Sequence, residues 1–229
     1  AMFDRLGVVR VRSMPEMLET LKIFCTSGAF AGKRLGVLTC SGADSAMVAD
    51  RASELEFELP PLSLAQQSSL REYIADFVNL TNPFYVTTQS WRNPELQVRC
   101  FEDMLRDDQY DAVALIHDFP APQYSDLSNW ESVCNSFIEA HRNIEKPAVM
   151  VSNFGKTVPD KISERLRENG VTPLGSLQEC MAAHRHAAWY GTPRGSLLEP
   201  EDRQQPIPTN RSHTTVAAAS VDTPPPPTP

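Results

Sequence analysis

The chain alternates between short, nearly continuous apolar runs and longer segments in which apolar residues recur every three or four positions. Short apolar runs bounded by charge or glycine are typical of strands that are buried on both faces of a parallel sheet. The longer segments have the period of amphipathic helices. This alternation predicts a parallel sheet joined by right-handed crossovers, with helices on both of its faces.

Four apolar runs are predicted to form the sheet, and they lie at residues 34–40, 111–117, 146–152 and 171–174. Helical periodicity predicts helices at residues 44–56, 63–77, 93–108, 125–141, 158–170 and 176–190. This order is typical of a flavodoxin-like fold, which is an α/β, doubly wound parallel sheet in a three-layer α/β/α arrangement.

The first thirty residues contain one more predicted strand and one more predicted helix. Residues 8–11 form a short apolar run, and Ser13 is placed to cap a helix that ends near Ser27. Five apolar side chains follow helical spacing and are expected in the core: Met14, Met17, Leu18, Leu21 and Phe24.

The composition changes after residue 190, because nine of the 19 prolines lie beyond Gly191. A segment so poor in apolar residues buries too little surface to offset its ordering entropy. The sequence therefore predicts an N-terminal strand and helix at residues 2–30, a flavodoxin-like domain at 31–190, and a Pro-rich disordered tail or linker at 191–229. The four consecutive prolines at 224–227 would also suit a polyproline II ligand.

Composition and charge exclude several classes of function. Hydrophobic residues make up 41% of the chain and charged residues 22%, as in soluble globular proteins. A net charge of −8 without clustered Lys and Arg argues against a nucleic-acid partner. No apolar run approaches the roughly 20 residues that span a bilayer, so no membrane partner is expected. The five cysteines form no CxxC or CxxH pair, which predicts no metal site and favours reduced thiols in a cytoplasmic protein.

Candidate chemistry gathers in the loop after the first predicted strand of the sheet. There Ser41, Gly42, Ala43 and Asp44 lead from the strand into the next helix. The free N–H groups and the helix dipole at such a turn suit a phosphate or a carboxylate. Small residues also cap helices for structural reasons alone, so both interpretations stay open.

Two further loops are expected at the same edge, because ligands of such sheets bind outside the carboxyl ends of the strands. The loop at residues 80–87 contains Asn82 and Pro83, and the loop at 118–123 begins with Asp118 and Phe119. A structural Asx turn before the proline is the plainer interpretation of Asn82.

The sequence contains no complete catalytic constellation, so the catalytic residues stay unassigned. The GxSxG, GxxxxGK[ST] and GxGxxG patterns are all absent. His117 stands at a strand end, where a lone histidine is more often structural than functional. His184 and His186 are two residues apart on a predicted helix and point to different faces, so they do not form a metal-binding pair.

Seven segments, in their order and spacing, resemble the acyl-CoA synthetases that form a nucleoside diphosphate (the ADP-forming acyl-CoA synthetases), which are relatives of succinyl-CoA synthetase. They are residues 7–11 with the helix that follows, 35–42 together with Ala49-Asp50, 58–63, Asn82-Pro83, Trp91, 118–120 and 170–175. The likeness covers residues 5–190.

The resemblance implies a function. Members of this family join a carboxylic acid to CoA with conversion of ATP to ADP and phosphate, through an acyl phosphate and a phosphorylated histidine. Residues 2–30 would then be the tail of a preceding CoA-ligase domain, and residues 31–190 a complete flavodoxin-like CoA-ligase domain. The Ser41-Gly42 turn would face the phosphoryl or acyl phosphate group, and the loops of Asn82 and Asp118 would line the same pocket.

The resemblance also implies partners. CoA and ATP with Mg²⁺ would be used by the complete enzyme, with no cofactor assigned to this chain itself. The expected partners are the Rossmann CoA-binding and ATP-grasp domains or subunits of the same ligase, and a homo-oligomer is also open.

Two departures from the family pattern favour an alternative. Ala43 takes the place of a usual glycine, and Tyr85 replaces the carboxylate of the family's Asn-Pro-x-Asp. No Rossmann, phosphohistidine or ATP-grasp segment is recognisable, so the chain is expected to be a fragment, a split subunit or a relative that has lost activity. The alternative is therefore a catalytically inactive interaction module with the same fold.

Overall fold

The computed structural model describes residues 2–86, 90–121, 123, 125–154 and 157–192. The predicted Pro-rich tail lies, from residue 193 onward, outside the described residues. The helices are α1 (Met2–Arg5), α2 (Met14–Thr26), α3 (Gly42–Glu54), α4 (Leu64–Arg71), α5 (Pro94–Arg106), α6 (Ser128–His141), α7 (Asp160–Glu168) and α8 (Leu177–Gly191). The strands are β1 (Leu35–Thr39), β2 (Phe84–Tyr85), β3 (Ala112–Ile116), β4 (Ala148–Ser152) and β5 (Val171–Gly175).

The five strands form one parallel sheet in the order β2-β1-β3-β4-β5, which confirms the predicted fold class. After β1 the chain adds β2 on one side, and it then returns to add β3 on the other side of β1. The strand order therefore reverses between β1 and β3. In doubly wound sheets this reversal opens a crevice above the carboxyl ends of the two strands.

Strands β1, β3, β4 and β5 each supply both faces of the core, because side chains alternate along a strand. In β3, Val113 and Leu115 join a cluster with α4, α5, α6 and α7, whereas Ala112, Ala114 and Ile116 join a cluster with α2, α3 and α8. The helices thus cover both faces, which gives the three layers. The nearly continuous apolar character of the central strands follows from this double burial.

Helix α2 packs against β5 and α8 on the second of these faces, with Ile23 fully buried. The strand predicted at residues 8–11 is absent, and those residues are irregular. The predicted core face of α2 was wrong for Met14, Leu18 and Leu21, which are 64%, 50% and 48% exposed. Phe24 is half-buried and packs against the second cluster, as predicted. The side that faces the protein carries Glu16, Glu19, Thr20 and Ile23.

The polar groups on the inner side of α2 are stabilised by partners from distant segments. Glu16 Oε1 contacts Nε2 of His186 on α8 at 2.6 Å, and Glu16 Oε2 accepts from the Arg12 N–H at 3.0 Å. Burial alone would raise the pKa of Glu16, but these hydrogen bonds lower it below its usual value. Glu19 accepts from the N–H of Gly175 at the end of β5.

The region around β2 also differs from the prediction. The helix predicted at residues 63–77 ends at Arg71, and its first residue, Leu64, is exposed rather than inward. Phe84 and Tyr85, predicted as loop, form the short edge strand that pairs with Leu38 and Thr39. Because Tyr85 lies beside the last residue of β1, residues 85 and 86 reach the carboxyl edge of the sheet.

Candidate functional site

The turn between β1 and α3 is held by its own side chains. Ser41 has extended backbone angles and caps α3, since its Oγ accepts from the Asp44 N–H at 3.4 Å. The buried Thr39 hydroxyl donates to the Ser41 carbonyl at 3.0 Å and lies 3.0 Å from Ser45 Oγ. The helix begins at Gly42, where an added Cβ would meet no atom within 4 Å. The first turn of α3 is thus held by side-chain hydrogen bonds, and the space beside Gly42 is open.

Three elements meet beside this turn through one side chain, Asn153, which directly follows β4. The Asn153 Nδ2 group donates to Asp44 Oδ1 at 3.2 Å and to Asp118 Oδ2 at 3.1 Å. The Asn153 N–H and the Ser152 hydroxyl donate to Asp118 Oδ1 at 2.6 and 2.9 Å. The structure thus brings together two residues that the sequence singled out, Asp44 and Asp118, and adds Asn153, which it missed.

The cluster contains two carboxyl groups, Asp44 and Asp118, so its charge differs from that of an anion site built from N–H donors alone. Burial, and then the nearby charge of Asp118, raise the pKa of Asp44 above its usual value, and its hydrogen bonds to Ser41 and Asn153 oppose the shift. The Asp44 carboxylate also occupies the first turn of α3, where the helix dipole favours negative charge. A bound anion would therefore meet a carboxyl group that is more easily protonated than usual.

Asn82 lies away from this cluster, on the β2 side of β1, where β2 pairs only with Leu38 and Thr39. Its Oδ1 accepts from the Val37 N–H at 2.9 Å, and its Nδ2 donates to the carbonyls of Leu35 and Pro60 at 2.8 and 2.9 Å. The register of β2 places Asn82 and the cis-linked Pro83 below the carboxyl edge. The amide of Asn82 is thus bonded to backbone groups that β2 is too short to pair.

Phe119, the other predicted residue after β3, is in the core. It is 3% exposed, and its ring contacts that of His117 at a centroid distance of 5.2 Å. His117 is buried as well, with Nε2 3.2 Å from the Trp130 carbonyl oxygen. Burial lowers the pKa of His117 to about 4, so that the ring is neutral near pH 7. Both side chains are therefore buried packing groups at the end of β3.

The thiol next to the turn is not an activated nucleophile. Burial, and then the charge of Asp44, raise the pKa of Cys40 to about 12. The reactive form of cysteine is the thiolate, which a pKa this high makes rare near pH 7. His184 is also buried, and its pKa is lowered to about 4. Among the described residues, no group of three or more His, Cys, Asp or Glu side chains is arranged to hold a metal ion.

The open space at this edge lies on the β4–β5 side of the turn. One cavity of about 320 Å³ is lined by Asn153, Ser176, Lys22 and Arg167 among others, and a second of about 370 Å³ is lined by Asn153, Ser176 and Arg51 among others. The loops predicted from the sequence to form the site are the turn at Ser41–Asp44 and the loops at 80–87 and 118–123, and they do not include the loop after β4. Ligands of such sheets bind outside the carboxyl ends of the strands. Asn153 directly follows the predicted strand at 146–152, so this expectation would have identified it.

No family model matches the chain. Trans-feruloyl-CoA synthase FCS1, from an unknown prokaryotic organism, is 25% identical over 182 residues, which are 78% of this chain and 25% of the synthase. No described helix is long and apolar enough to cross a membrane.

Solved structures share the fold at low sequence identity. PH0766 from Pyrococcus horikoshii OT3 aligns with a TM-score of 0.69 and 20% identity, over 82% of this chain and 42% of its own. The dinucleotide-forming acetyl-coenzyme A synthetase 1 of Ca. Korarchaeum cryptofilum aligns with a TM-score of 0.66 and 16% identity, both in its apo form and in complex with phosphate and ADP. Each alignment covers 82% of this chain, and 40% and 39% of the respective synthetase chains.

This chain thus spans about two fifths of these solved chains and a quarter of the synthase. The comparisons confirm the resemblance predicted from the sequence: the chain has the three-layer α/β fold that is present in the acetyl-coenzyme A synthetase structures, and it is similar in sequence to a feruloyl-CoA synthase.

Proposed function

We propose that this chain is one domain or subunit of an ADP-forming acyl-CoA synthetase and is incomplete alone. Its part in the reaction is to present the edge around Ser41, Asp118 and Asn153 to the phosphoryl or acyl phosphate group. The observation that carries this proposal is the bridge from Asn153 to Asp44 and Asp118, because it joins α3, β3 and β4 where the strand order reverses. The lengths of the related chains support the view that further domains complete the site.

The residues of the edge supply three physical contributions. The N–H groups of Gly42 and Ala43 lie in the first turn of α3, where amides have no partner within the helix and donate to an anion. The hydrogen bonds from Asn153 and Ser152 fix Asp118 before a ligand arrives, so that little reorganisation is needed. Asp44, once protonated, donates a hydrogen bond to a phosphoryl oxygen instead of repelling it.

This arrangement predicts that anion binding strengthens as the pH falls. The pKa of Asp44 is raised, and a bound anion raises it further, so binding takes up a proton. CoA and ATP with Mg²⁺ are bound by the Rossmann and ATP-grasp parts in this proposal. The carboxylic acid substrate is selected there as well.

Calorimetry with inorganic phosphate and acetyl phosphate tests the edge directly. Gly42→Val adds a side chain whose Cβ would meet no protein atom within 4 Å, and we expect it to weaken binding about tenfold or more through loss of close backbone approach. Ala49→Val, on the exposed side of the same helix, is the control, because it places the same valine side chain away from the turn. Equal binding by both variants and the wild type would contradict the proposed site.

A reconstitution assay tests the ligase assignment separately. The chain alone is expected to form no acyl-CoA, and addition of the Rossmann and ATP-grasp parts encoded with it is expected to restore ATP-dependent acyl-CoA formation. Asp118→Asn should reduce the restored rate, because the amide no longer accepts all of the hydrogen bonds that converge on Asp118. A reconstituted mixture without activity would refute the assignment even if phosphate binds.

A non-enzymatic interaction module is the second candidate. The observation that favours it is the replacement of a family glycine and a family carboxylate by Ala43 and Tyr85, of which Tyr85 lies at the edge beside Thr39. In that case the chain keeps the fold without the activity. A protein then binds to the Pro-rich residues 192–229 or to the surface around Ser41, Asp118 and Asn153. Recovery of one defined partner that depends on residues 192–229, with an inactive reconstituted mixture, would support the module.

A further inference from the structure

The cavity beside the last strand of the sheet has the composition of a small-ligand site. Its volume is about 320 Å³, and its lining comes from α2, α7 and the carboxyl ends of β4 and β5. Pockets for small molecules have volumes of roughly 300–1,000 Å³ and combine apolar walls with a few polar groups. The apolar wall of this cavity is formed by Met150, Val158, Pro173 and Leu174.

Two polar side chains of α7 are available to a ligand in this cavity. Ser163 and Arg167 both line it, and their spacing places them on the same face of α7, one turn apart. Among the described residues, neither the Ser163 hydroxyl nor the Arg167 guanidinium has a hydrogen-bond or ion-pair partner. A hydroxyl and a guanidinium so placed are both donors, and a carboxylate has two oxygens to accept from them.

The remaining charged groups of the cavity neutralise each other. Lys22 Nζ donates to both carboxylate oxygens of Glu19, at 2.8 and 3.0 Å. Glu19 also accepts from the Gly175 N–H at 3.1 Å. Of the charged side chains that line the described part of the cavity, Arg167 is therefore the one without a counter-ion. In a chain with a net charge of −8, this cavity thus favours an anion locally.

We propose that this cavity binds a small organic carboxylate, with its carboxylate on Ser163 and Arg167 and a compact apolar body against the wall that contains Val158 and Pro173. One negative charge balances the charge of Arg167. The apolar wall favours an acid with an apolar body over inorganic phosphate, because a fully hydrated anion gains nothing from apolar contact.

This carboxylate site differs from the edge proposed for the phosphoryl group. The two share Asn153, but its side-chain amide is already bonded to Asp44 and Asp118. Ser163 and Arg167 belong to α7, which takes no part in that edge. The carboxylate site therefore goes beyond the proposed function and does not depend on it.

Ligand-observed NMR titration of the full chain with benzoate tests the site. Benzoate has one carboxylate on a compact apolar ring, and benzamide has nearly the same shape without the charge. We expect benzoate to bind about tenfold more tightly than benzamide, because a hydrogen bond from a guanidinium to a charged acceptor is stronger than one to a neutral acceptor.

Two variants locate the binding. Arg167→Gln should weaken benzoate binding about tenfold with unchanged circular dichroism, because the exposed Arg167 contributes charge and not packing. Lys161→Gln is the matched control, since it removes one cation from the exposed surface of the same helix outside the cavity, and it should bind benzoate like the wild type. Gly42→Val at the phosphoryl edge should also leave benzoate binding unchanged.

Four results would overturn the carboxylate site. They are no saturable binding of millimolar benzoate, equal binding of benzoate and benzamide, unchanged binding in Arg167→Gln, and equal weakening in Lys161→Gln. The last would mean that benzoate responds to the total charge of the chain. Benzoate binding that is lost in Gly42→Val but not in Arg167→Gln would assign it to the phosphoryl edge instead. Phosphate binding at that edge is measured separately, so failure of either site leaves the other standing.

Discussion

Replacement of Asn82 by alanine separates a structural role from a role in the pocket. The amide of Asn82 makes three hydrogen bonds, to Val37 N–H and to the carbonyls of Leu35 and Pro60. The two β1 residues are essentially inaccessible to water, so their backbone groups lose a partner that solvent replaces poorly. Asn82→Ala should therefore destabilise the fold and leave phosphate binding at the β1–α3 turn unchanged.

The size of the effect follows from these three bonds. Each contributes about 0.5–1.5 kcal/mol net, so the variant should lose about 3 kcal/mol of unfolding free energy. In a domain of this size that corresponds to a melting temperature lower by about 6–12 °C. Asn82→Asp should be at least as damaging, because a carboxylate donates to neither carbonyl.

Urea unfolding followed by circular dichroism measures the difference. Thr81→Ala is the matched control, since the exposed Thr81 hydroxyl donates to the Pro83 carbonyl and its removal should change stability by less than about 0.5 kcal/mol. An Asn82→Ala variant as stable as Thr81→Ala would refute the structural role. A normally stable variant that no longer binds phosphate would instead place Asn82 in the pocket.

Two further predictions concern histidines and glycines. Burial lowers the pKa values of His117 and His184 to about 4, from 6.5. Below pH 6.5 the unfolded chain therefore binds protons first, and the unfolding free energy should fall as the pH decreases from 6.5 to 4, by up to about 1.4 kcal/mol per pH unit for each histidine. Urea unfolding at several pH values measures this slope, and an equal slope in His184→Gln would contradict it. Gly32→Ala should destabilise by about 2 kcal/mol or more, because φ is +102° and the new Cβ would lie 2.1 Å from Asp111 Oδ2. Gly42→Ala, with open space and no such φ, should leave thermal stability equal or higher, and similar losses in both glycine variants would refute the argument.

The sequence was most informative where local pattern and burial agree. The runs at 111–117 and 146–152 are apolar on both faces, and they are β3 and β4 at the centre of the sheet. The helix predicted at 93–108 is also confirmed as α5, in which Cys100, Phe101 and Met104 are buried. A strand covered on both sides permits few polar residues, so its sequence reports its position directly.

Helix α2 shows where that rule fails. Its periodicity correctly predicts a helix, yet Met14, Leu18 and Leu21 face outward. The inner side carries Glu16 and Glu19 beside Ile23. Buried carboxylates are tolerated when partners satisfy them, and here the partners are His186 and the backbone of Gly175, more than 150 residues away. Helical spacing specifies that two faces differ, but not which one meets the rest of the chain.

The candidate site shows the same division. The sequence by itself determined that Ser41 and Asp44 begin a helix after a buried strand and that Asp118 follows another, because capping and strand burial are local properties. Only the tertiary structure decided that Asn153 joins the two carboxylates, while Asn82 and Phe119 turn to β1 and to the core. The physical reason is that a side chain's hydrogen-bond partners depend on which strands become neighbours, and that order is set by packing of the whole sheet.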